Sequence, residues 1–500
     1  MGTLGNVDAI DPRLPVVVGV GQVLNRTDQG ADMVEPVELM IQAARIAEDD
    51  AGSSGYLKRA EVIAAIPTIS WRYRDPGAIA AQAFGAERAR TWYATVGGNT
   101  PQTMVNRISS HIQSGQLDVA VLIGGEAGRA RSEAKRQDIK LDWAVQGDEA
   151  TPDLLDDNPF LMGGEADMAR KLIMPLQLYP VFENAIWHNS GRTLDEHLSY
   201  IAELWSGYSK VAAGNPYAWN RRELTADELL EVTPENRMVA FPYRKQMVSN
   251  PSVDMSSAIL ICSVEAAREM GIPMDRWVFV HSGTDAKDRS VSDRLSLAHS
   301  SAIGAAGNRA LELAGVSIDD VAHLDVYSCY PSAVQVAMDA LGIGPDRQLT
   351  VYGGLPFAGG PWNNPVGHAI ASMVGVLRED TGSVGLVTAN GGNIDKHAFG
   401  VYSSSPPTDG FRYECPQDQV DSEPGRSSVV DHLGEAAVES WSVLYDRESN
   451  PVSAHVAALT PDGSRTWALC DDQSSAVEMT TGDMTGRTIH IDGQGAFNLG

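Results

Sequence analysis

The sequence predicts an α/β protein with two similar α/β halves, a long insertion between them and a small all-β domain at the C-terminus. Strand and helix patterns alternate in residues 14–130 and again in residues 251–404. A polar and aromatic stretch, residues 131–250, interrupts the alternation, and short strand patterns fill residues 410–500. Alternation of this kind is typical of parallel sheets that are covered by helices on both faces.

Composition and charge exclude several classes of function. The 500 residues, 43% hydrophobic and 21% charged, are typical of a globular protein with more than one core. The net charge of −27 argues against binding to nucleic acid or to anionic lipid, because both need clustered Lys and Arg. Residues 1–15 lack the pattern of a signal peptide, and no segment is apolar enough to span a membrane. We therefore expect a soluble cytoplasmic protein with no nucleic-acid or membrane partner.

The first half repeats one pattern of strand and helix. Apolar, β-branched segments closed by glycine or proline predict strands at 16–21, 61–67, 91–96 and 118–123. Apolar residues at helical spacing predict helices at 34–50, 78–84 and 101–113. A tight turn, Gly97-Gly-Asn-Thr, joins the third strand to the third helix.

The insertion has no regular alternation and is rich in Trp and Tyr, which predicts an irregular, partly helical loop domain. The second half then resumes the earlier pattern. Its strands are predicted at 256–262, 277–281, 322–327, 384–388 and 398–402. Its helices are predicted at 264–270, 299–314, 333–341 and 368–377.

The last hundred residues differ in composition from the rest. Residues 401–500 contain five arginines, no lysine and sixteen acidic residues. Short strands are predicted at 441–445, 453–459, 465–469, 476–479 and 487–491, at the spacing of a small OB-like barrel. OB folds often bind nucleic acids, but the acidity of this domain argues against that function here.

Four short segments resemble the motifs of thiolases in order and separation. They are Gly97-Gly-Asn-Thr-Pro-Gln, Asp325-Val-Tyr-Ser-Cys-Tyr, Asn364-Pro-Val-Gly-His and Thr388-Ala-Asn-Gly-Gly. In thiolases the corresponding segments are the nucleophile turn, Asn-Glu-Ala-Phe (His-Asp-Cys-Phe in the sterol-carrier-protein branch), Gly-His-Pro and Cys-x-Gly. The resemblance covers about residues 14–404. It implies a layered α-β-α-β-α core with a loop-domain insertion.

Within that superfamily the chain is similar to sterol-carrier-protein-type thiolase-like proteins, and to the bacterial type 1 group with an added C-terminal domain. The resemblance implies an acetyl-CoA acetyltransferase-like protein of lipid or steroid metabolism, with CoA or acyl-CoA as its ligand and no covalently bound cofactor. The four cysteines have no C-x-x-C spacing, so no metal site is expected.

Both thiolase cysteines are replaced. The nucleophile position falls on Gly98, and the acid/base cysteine of Cys-x-Gly falls on Ala389. The nearest hydroxyl, on Thr100, has a pKa too high for a nucleophile without an adjacent base. Covalent acyl transfer is therefore not expected.

The candidate catalytic residues that remain come from the second half. His368 matches the histidine of Gly-His-Pro, which in the family helps to stabilise the thioester oxygen, and Ala369 stands where proline is usual. Tyr327 and Ser328 occupy the positions of the Asn/His and the acid of the second motif. Either could instead be a structural side chain, as could Cys329, which we interpret as a packing residue.

Two further sets of residues are candidates for binding a CoA ester. The Gly98 turn and the Asn390 loop offer backbone and amide groups to a thioester, with the candidates Gly98, Asn99, Thr100, Asn390 and Gly391. The CoA phosphates need cations, and the candidates are Arg221, Arg222, Arg244 and Lys245, although such pairs are more often solvated surface. We expect the Gly98 turn, Tyr327 and His368 to meet in one cleft.

Three functions remain open. The protein binds acyl-CoA without covalent thiolase chemistry, or it performs a non-covalent retro-aldol or condensing reaction with Tyr327 and His368, or it is a non-catalytic CoA-ester-binding scaffold. Family dimers pair the strand that precedes the nucleophile turn, here residues 91–96, so both a homodimer and a monomer are retained.

Overall fold

The computed structural model describes residues 10–156 and 163–499. The expectation about a signal peptide concerns residues that lie mostly outside this range. The first half contains β1 (Pro15–Leu24), α1 (Pro36–Ala51), β2 (Val62–Ala65), α2 (Pro76–Phe84), β3 (Arg90–Tyr93), α3 (Thr100–Gln113) and β4 (Val119–Ala127). None of the helices in the described ranges is long and apolar enough to cross a membrane.

The insertion is mainly helical. It contains α4 (Gly128–Arg136), β5 (Leu154–Leu155), α5 (Glu165–Ala169), α6 (Pro175–Ser190), α7 (Leu194–Gly214), α8 (Ala226–Leu230), β6 (Met238–Ala240) and β7 (Tyr243–Arg244). Helix α7 begins at a capping box, in which Thr193 accepts from the amide of Glu196 and the Glu196 carboxylate accepts from the amide of Thr193.

The second half follows the predicted order of elements. It contains β8 (Asp254–Ser263), α9 (Val264–Glu269), β9 (Val278–Lys287), α10 (Ser301–Ala314), β10 (His323–Asp325), α11 (Pro331–Leu341), α12 (Pro365–Glu379), β11 (Val384–Gly391) and β12 (Lys396–Ser403). A single π-helical turn spans Gly354–Ala358 before α12.

The main sheet is mixed, which corrects the prediction of parallel sheets. Its strand order is β10-β11-β12-β9-β1-β8-β4-β2-β3-β5, and the β1–β9 pair joins the strands of both halves. Strands β2, β3 and β4 are parallel, but β8 runs antiparallel between β1 and β4. Strand β8 follows residue 251 in the chain, and its hydrogen bonds are with β1 and β4 of the first half.

Helices α3 and α12 pack against strands of both halves, so they lie between them. Each begins close to one of the predicted site segments. At the far edge, β5 pairs with β3 in parallel and covers the strand that a dimer would use.

The C-terminal domain is an antiparallel β domain. After β13 (Arg412–Glu414), which pairs with β9, and α13 (Gln417–Ser422), it contains β14 (Gly434–Tyr445), β15 (Pro451–Leu459), β16 (Arg465–Cys470), α14 (Gln473–Glu478), β17 (Thr488–Ile491) and β18 (Phe497–Leu499). The strand order is β16-β15-β14-β17-β18, and a parallel bridge from Leu469 to Ala496 brings β16 beside β18. Strands β6 and β7 of the insertion extend this sheet.

One predicted strand of this domain is wrong. Residues 476–479 were expected to be extended, but α14 covers most of them. The side chain of Asp472 accepts a hydrogen bond from the amide of Ser475 and so caps the helix. This local cap outweighs the strand preference of a short apolar segment.

Candidate functional site

Three chain segments meet at the turn before α3. The amide of Gly97 donates to Asn363 Oδ1 at 3.0 Å, and Asn363 Nδ2 donates to the carbonyl of Pro67 at 2.8 Å. The segment that precedes α12 is therefore fixed against the turn. Gly97 and Gly98 are both buried.

Tyr327 occupies the space that a side chain at position 98 would need. A Cβ atom built on Gly98 would overlap the phenol oxygen of Tyr327 and the backbone oxygen of Asn390, and it would lie 3.0 Å from Tyr327 Cζ. Real Cβ atoms do not approach other atoms so closely. Gly98 therefore offers no nucleophilic side chain, and Tyr327 occupies the space beside it.

The residues predicted to bind a thioester lie beside this contact. The side chain of Asn99 packs against Gly391, and Thr100 donates its hydroxyl to the carbonyl of Thr95 at 3.0 Å. A backbone carbonyl is not a base that takes up this proton, so the hydrogen bond does not activate Thr100 as a nucleophile. The Asn390 amide donates to Tyr179 Oη at 3.3 Å, while its Oδ1 is buried without a partner.

Tyr327 is a neutral phenol in this setting. Burial, and secondarily the neighbouring Cys329, hold the pKa of Tyr327 well above its usual value. Burial also raises the pKa of the Cys329 thiol to about 12. Neither group is therefore a base or a nucleophile near neutral pH, although the phenol can donate a hydrogen bond.

His368 lies in the first turn of α12 and is completely buried. Its Nδ1 donates to Gln22 Oε1 at 2.8 Å, and its ring stacks on Tyr352 at 5.7 Å between centroids. Burial lowers the pKa of His368 to about 3, so the ring stays neutral. In the neutral tautomer that donates from Nδ1 to Gln22, Nε2 is a buried acceptor with no partner among the described residues, and that tautomer does not donate from Nε2 to an oxyanion.

Ser328 has a structural role. Its hydroxyl oxygen is buried and accepts from the amide of Leu355 at 3.4 Å, within the π-helical turn. The nearby Asp325 carboxylate accepts from Thr350 Oγ1 and from the amide of Tyr352. Because Tyr352 stacks on His368, this aspartate helps to fix the ring that faces the histidine.

The predicted phosphate-binding cations differ in availability. Arg222 forms an ion pair with Glu228, and Arg244 donates to the carbonyls of Leu230 and Pro242. These contacts remove Arg244 from the set that could hold a phosphate. Arg221 and Lys245 are exposed.

Little open space remains at the site. Tyr327, Ala389 and Asn390 line a cavity of about 10 Å³, close to the size of one water molecule. Larger surface cavities in the described part of the chain, of about 520, 620 and 680 Å³, are lined by none of the predicted site residues. Gly98 is thus in close contact with Tyr327 and Asn390, and the cavity beside the latter two has room for about one water molecule.

Sequence reasoning missed three residues that shape the site. Tyr179 comes from the insertion, Gln22 from the end of β1, and Asn363 from the segment that precedes α12. Nothing in the motif pattern identified the first two, because their contacts span more than two hundred residues of sequence. Asn363 directly precedes the Asn364-Pro-Val-Gly-His segment and could have been included with it.

The chain is similar to known proteins in sequence and in fold. Residues 416–496 match the family described as the thiolase-like protein type 1 additional C-terminal domain. Over 167 residues, 33% of the chain, the sequence is 26% identical to an acetyl-CoA acetyltransferase of Methanocaldococcus jannaschii. That match spans 40% of the relative's length.

Solved structures resemble the chain over a greater length. The Ltp2–ChsH2(DUF35) aldolase is 16% identical with a TM-score of 0.57, and it covers 79% of this chain and 98% of its own. The crystal structure of a monomeric SCP2-thiolase-like protein type 1 from Mycobacterium smegmatis is 30% identical with a TM-score of 0.83. That structure covers 98% of this chain and 100% of its own. The chain belongs to the thiolase superfamily, in the group of SCP2-thiolase-like proteins type 1.

Proposed function

We propose that this protein binds CoA thioesters without performing thiolase chemistry. The observation that carries the proposal is the contact between Gly98 and Tyr327, which leaves neither a nucleophile nor the space for one. Ala389 lacks the second proton-transferring group as well. Catalytic groups of this kind act as a unit, so the loss of both leaves little residual rate.

The binding part of the proposal depends on the retained frame of the site. The Gly97 amide is still fixed by Asn363, and Asn390 and Gly391 still adjoin the turn. Arg221 and Lys245 are exposed and would meet the phosphates of CoA at the surface of the insertion, with Arg221 also donating from Nε to the carbonyl of Ala213 at 3.4 Å. The reactive end of a bound ester would meet the Tyr327 phenol rather than a thiolate.

A retro-aldol or condensing enzyme is the weaker alternative. Such a reaction needs an acid and a base that both face the substrate. Tyr327 is a neutral donor, and His368 is a neutral, buried ring whose contacts are with Gln22 and Tyr352. The two side chains therefore offer no complementary pair in this conformation.

We further propose that the C-terminal domain is an OB-like barrel. Taken in chain order, its first strand pairs with the second and the fourth, and the third is bridged in parallel to the fifth. A helix, α14, lies between the third and fourth strands. The acidic composition of this domain and the contacts on its strands support a structural role rather than nucleic-acid binding.

Calorimetric titration with acetyl-CoA tests the function. We expect binding to wild-type protein, and weaker binding to Arg221→Ala/Lys245→Ala, because removal of two exposed cations reduces the attraction for phosphate. Arg447→Ala, an exposed cation of the C-terminal domain, is the matched control and should bind like wild type. Absence of binding to wild type would refute the proposed function.

A further inference from the structure

Helix α6 connects the C-terminal domain with the Gly98 turn. Near its start, Tyr179 Oη donates to the carbonyl of Gly392 at 3.0 Å, and its ring stacks on Tyr330 at 4.2 Å between centroids. We call these two rings the tyrosine plug. Because Asn390 bonds to Tyr179 and its backbone oxygen abuts Gly98, the plug is the second layer of side chains behind the turn.

Strand β14 holds the opposite side of the same helix. Three side-chain hydrogen bonds join them: Ser440 Oγ to Val181 O (2.5 Å), Ser442 Oγ to Gln177 O (2.7 Å) and Asn184 Nδ2 to Trp441 O (2.8 Å). Pro180 lies inside α6 and has no amide N–H, so the helix lacks one internal hydrogen bond in this stretch. The missing bond is the one to the carbonyl of Leu176, and the two serines bond to the carbonyls of Gln177 and Val181 on either side of Pro180.

A buried arginine fixes the rest of the domain. Arg465 forms two hydrogen bonds to the carboxylate of Glu439, at 2.6 and 2.7 Å, and it is fully buried. It also donates to the carbonyls of Val291, Ser292 and Arg294 in the second half. The domain is thus attached to α6 on one side and to the main body on another.

From these contacts we propose that the C-terminal domain is a clamp on α6, and that its release lets the tyrosine plug withdraw and opens a pocket behind the Gly98 turn. The coupling between the C-terminal domain and the tyrosine plug is tested without any CoA ester. A failure of this proposal is therefore distinguishable from a failure of CoA-ester binding. The local opening of one helix, without global unfolding, is the kind of motion that the weakened stretch of α6 allows.

The alkylation rate of each cysteine reports on a different part of the molecule. Cys329 lies at the plug, with its sulfur 3.9 Å from Asn390 Nδ2, and is 8% exposed. Cys470 lies in β16 of the clamp, and Cys262 is fully buried in β8 of the first half. Cys415 is exposed and gives the reference rate. A buried thiol alkylates slowly because it is screened from solvent and its thiolate is disfavoured.

The experiment is iodoacetamide alkylation of the full-length protein, with mass spectrometry of each cysteine over time. We expect Ser440→Ala/Ser442→Ala to raise the Cys329 rate at least tenfold and to leave the Cys262 rate unchanged. Tyr179→Ala removes one ring of the tyrosine plug directly. It should therefore raise the alkylation rate of Cys329 even though Ser440 and Ser442 are unchanged. Ser474→Ala/Ser475→Ala, which changes one exposed and one half-buried serine of the same domain, is the matched control.

Two results would overturn the proposal. One is an unchanged Cys329 rate in the Ser440/Ser442 variant while Tyr179→Ala raises it, because the clamp would then not control the plug. The other is a rise at Cys329 that Cys262 matches, because this would report global unfolding rather than withdrawal of the plug.

Discussion

Tyr327 and the Asn390 carbonyl meet at the α-carbon of Gly98, and that contact determines the size of residue 98. The same contact predicts that restoring a single cysteine at position 98 is not sufficient for thiolase activity. A cysteine at 98 needs the phenol to move and also needs the backbone of the β11–β12 hairpin to shift. Overpacking of this kind usually costs about 1–3 kcal/mol in a well-packed core.

Gly98→Ala and Gly98→Cys should therefore destabilise the fold by about 1–3 kcal/mol, and Gly98→Cys should show no thiolysis. Urea denaturation measures the first effect, and an acetoacetyl-CoA thiolysis assay measures the second. Gly375→Ala is the control, because nothing lies within 4 Å of a Cβ at that helical position. It should be neutral or stabilising, since alanine is the better helix former. Thiolysis by Gly98→Cys would refute this view of position 98.

The buried histidine predicts a pH dependence. The pKa of His368 is lowered to about 3 by burial, below the usual value of 6.5. The unfolded chain therefore takes up a proton between pH 6.5 and 3 that the folded chain does not. The contribution of His368 to the free energy of unfolding is fully present above pH 6.5. It falls as the pH is lowered, by about 1.4 kcal/mol per pH unit at most.

A His368→Asn variant should lose that slope. The measurement is the melting temperature of both proteins between pH 4 and pH 7. We expect the difference between wild type and variant to be largest at pH 7 and to shrink toward pH 4. A difference that does not change with pH would show that His368 is charged in the fold or does not titrate in this range.

At the scale of elements, the edge of the main sheet is covered by the chain itself. Asp153 Oδ2 accepts from the amide of Thr91 at 2.8 Å, and Asp156 Oδ1 accepts from Trp92 Nε1 at 3.1 Å. Asp156 also pairs with Arg107 at 2.9 Å. These contacts hold β5 against β3, and they favour a monomer over the dimer that pairs this strand.

Asp153→Ala/Asp156→Ala should uncover β3 and shift the protein toward dimers or larger species. Light scattering coupled to size-exclusion chromatography measures the mass, and we expect wild type to be monomeric. Asp148→Ala, which removes an exposed partner of Arg74, is the control and should remain monomeric. A monomeric double variant would mean that β5 is not what blocks pairing.

Much of this element order could be predicted from the sequence, because apolar periodicity identified most helices and strands of both halves. Strand direction could not be predicted, since the antiparallel position of β8 depends on pairing across more than a hundred residues. The prediction of a strand at 476–479 was wrong for a different reason. The side chain of Asp472 caps a helix that covers most of these residues. Local patterns reveal periodicity but not long-range pairing.

For the whole molecule, the motif order predicted that the Gly98 turn, Tyr327 and His368 meet in one cleft. The structure shows Gly98 against Tyr327 and Asn390, and it shows His368 in contact with Gln22 and Tyr352. The motif order could not predict the close contact at Gly98, because that contact depends on the tyrosine volume and on Tyr179 from the insertion. The motif order also could not show that His368 forms a hydrogen bond with Gln22 through Nδ1. The C-terminal domain was expected as a separate unit, whereas Arg465 and the serines of β14 attach it to the rest of the protein.

The central claim is that the thiolase frame is retained while its covalent chemistry is lost. Intact-protein mass spectrometry after incubation with acetyl-CoA, with products followed in the same sample, tests it most directly. We predict an unmodified protein mass and no acetoacetyl-CoA, because position 98 has no nucleophile and Tyr327 fills its space. A stable acetyl adduct on any residue near Gly98, or turnover of acetyl-CoA into acetoacetyl-CoA, would contradict the claim.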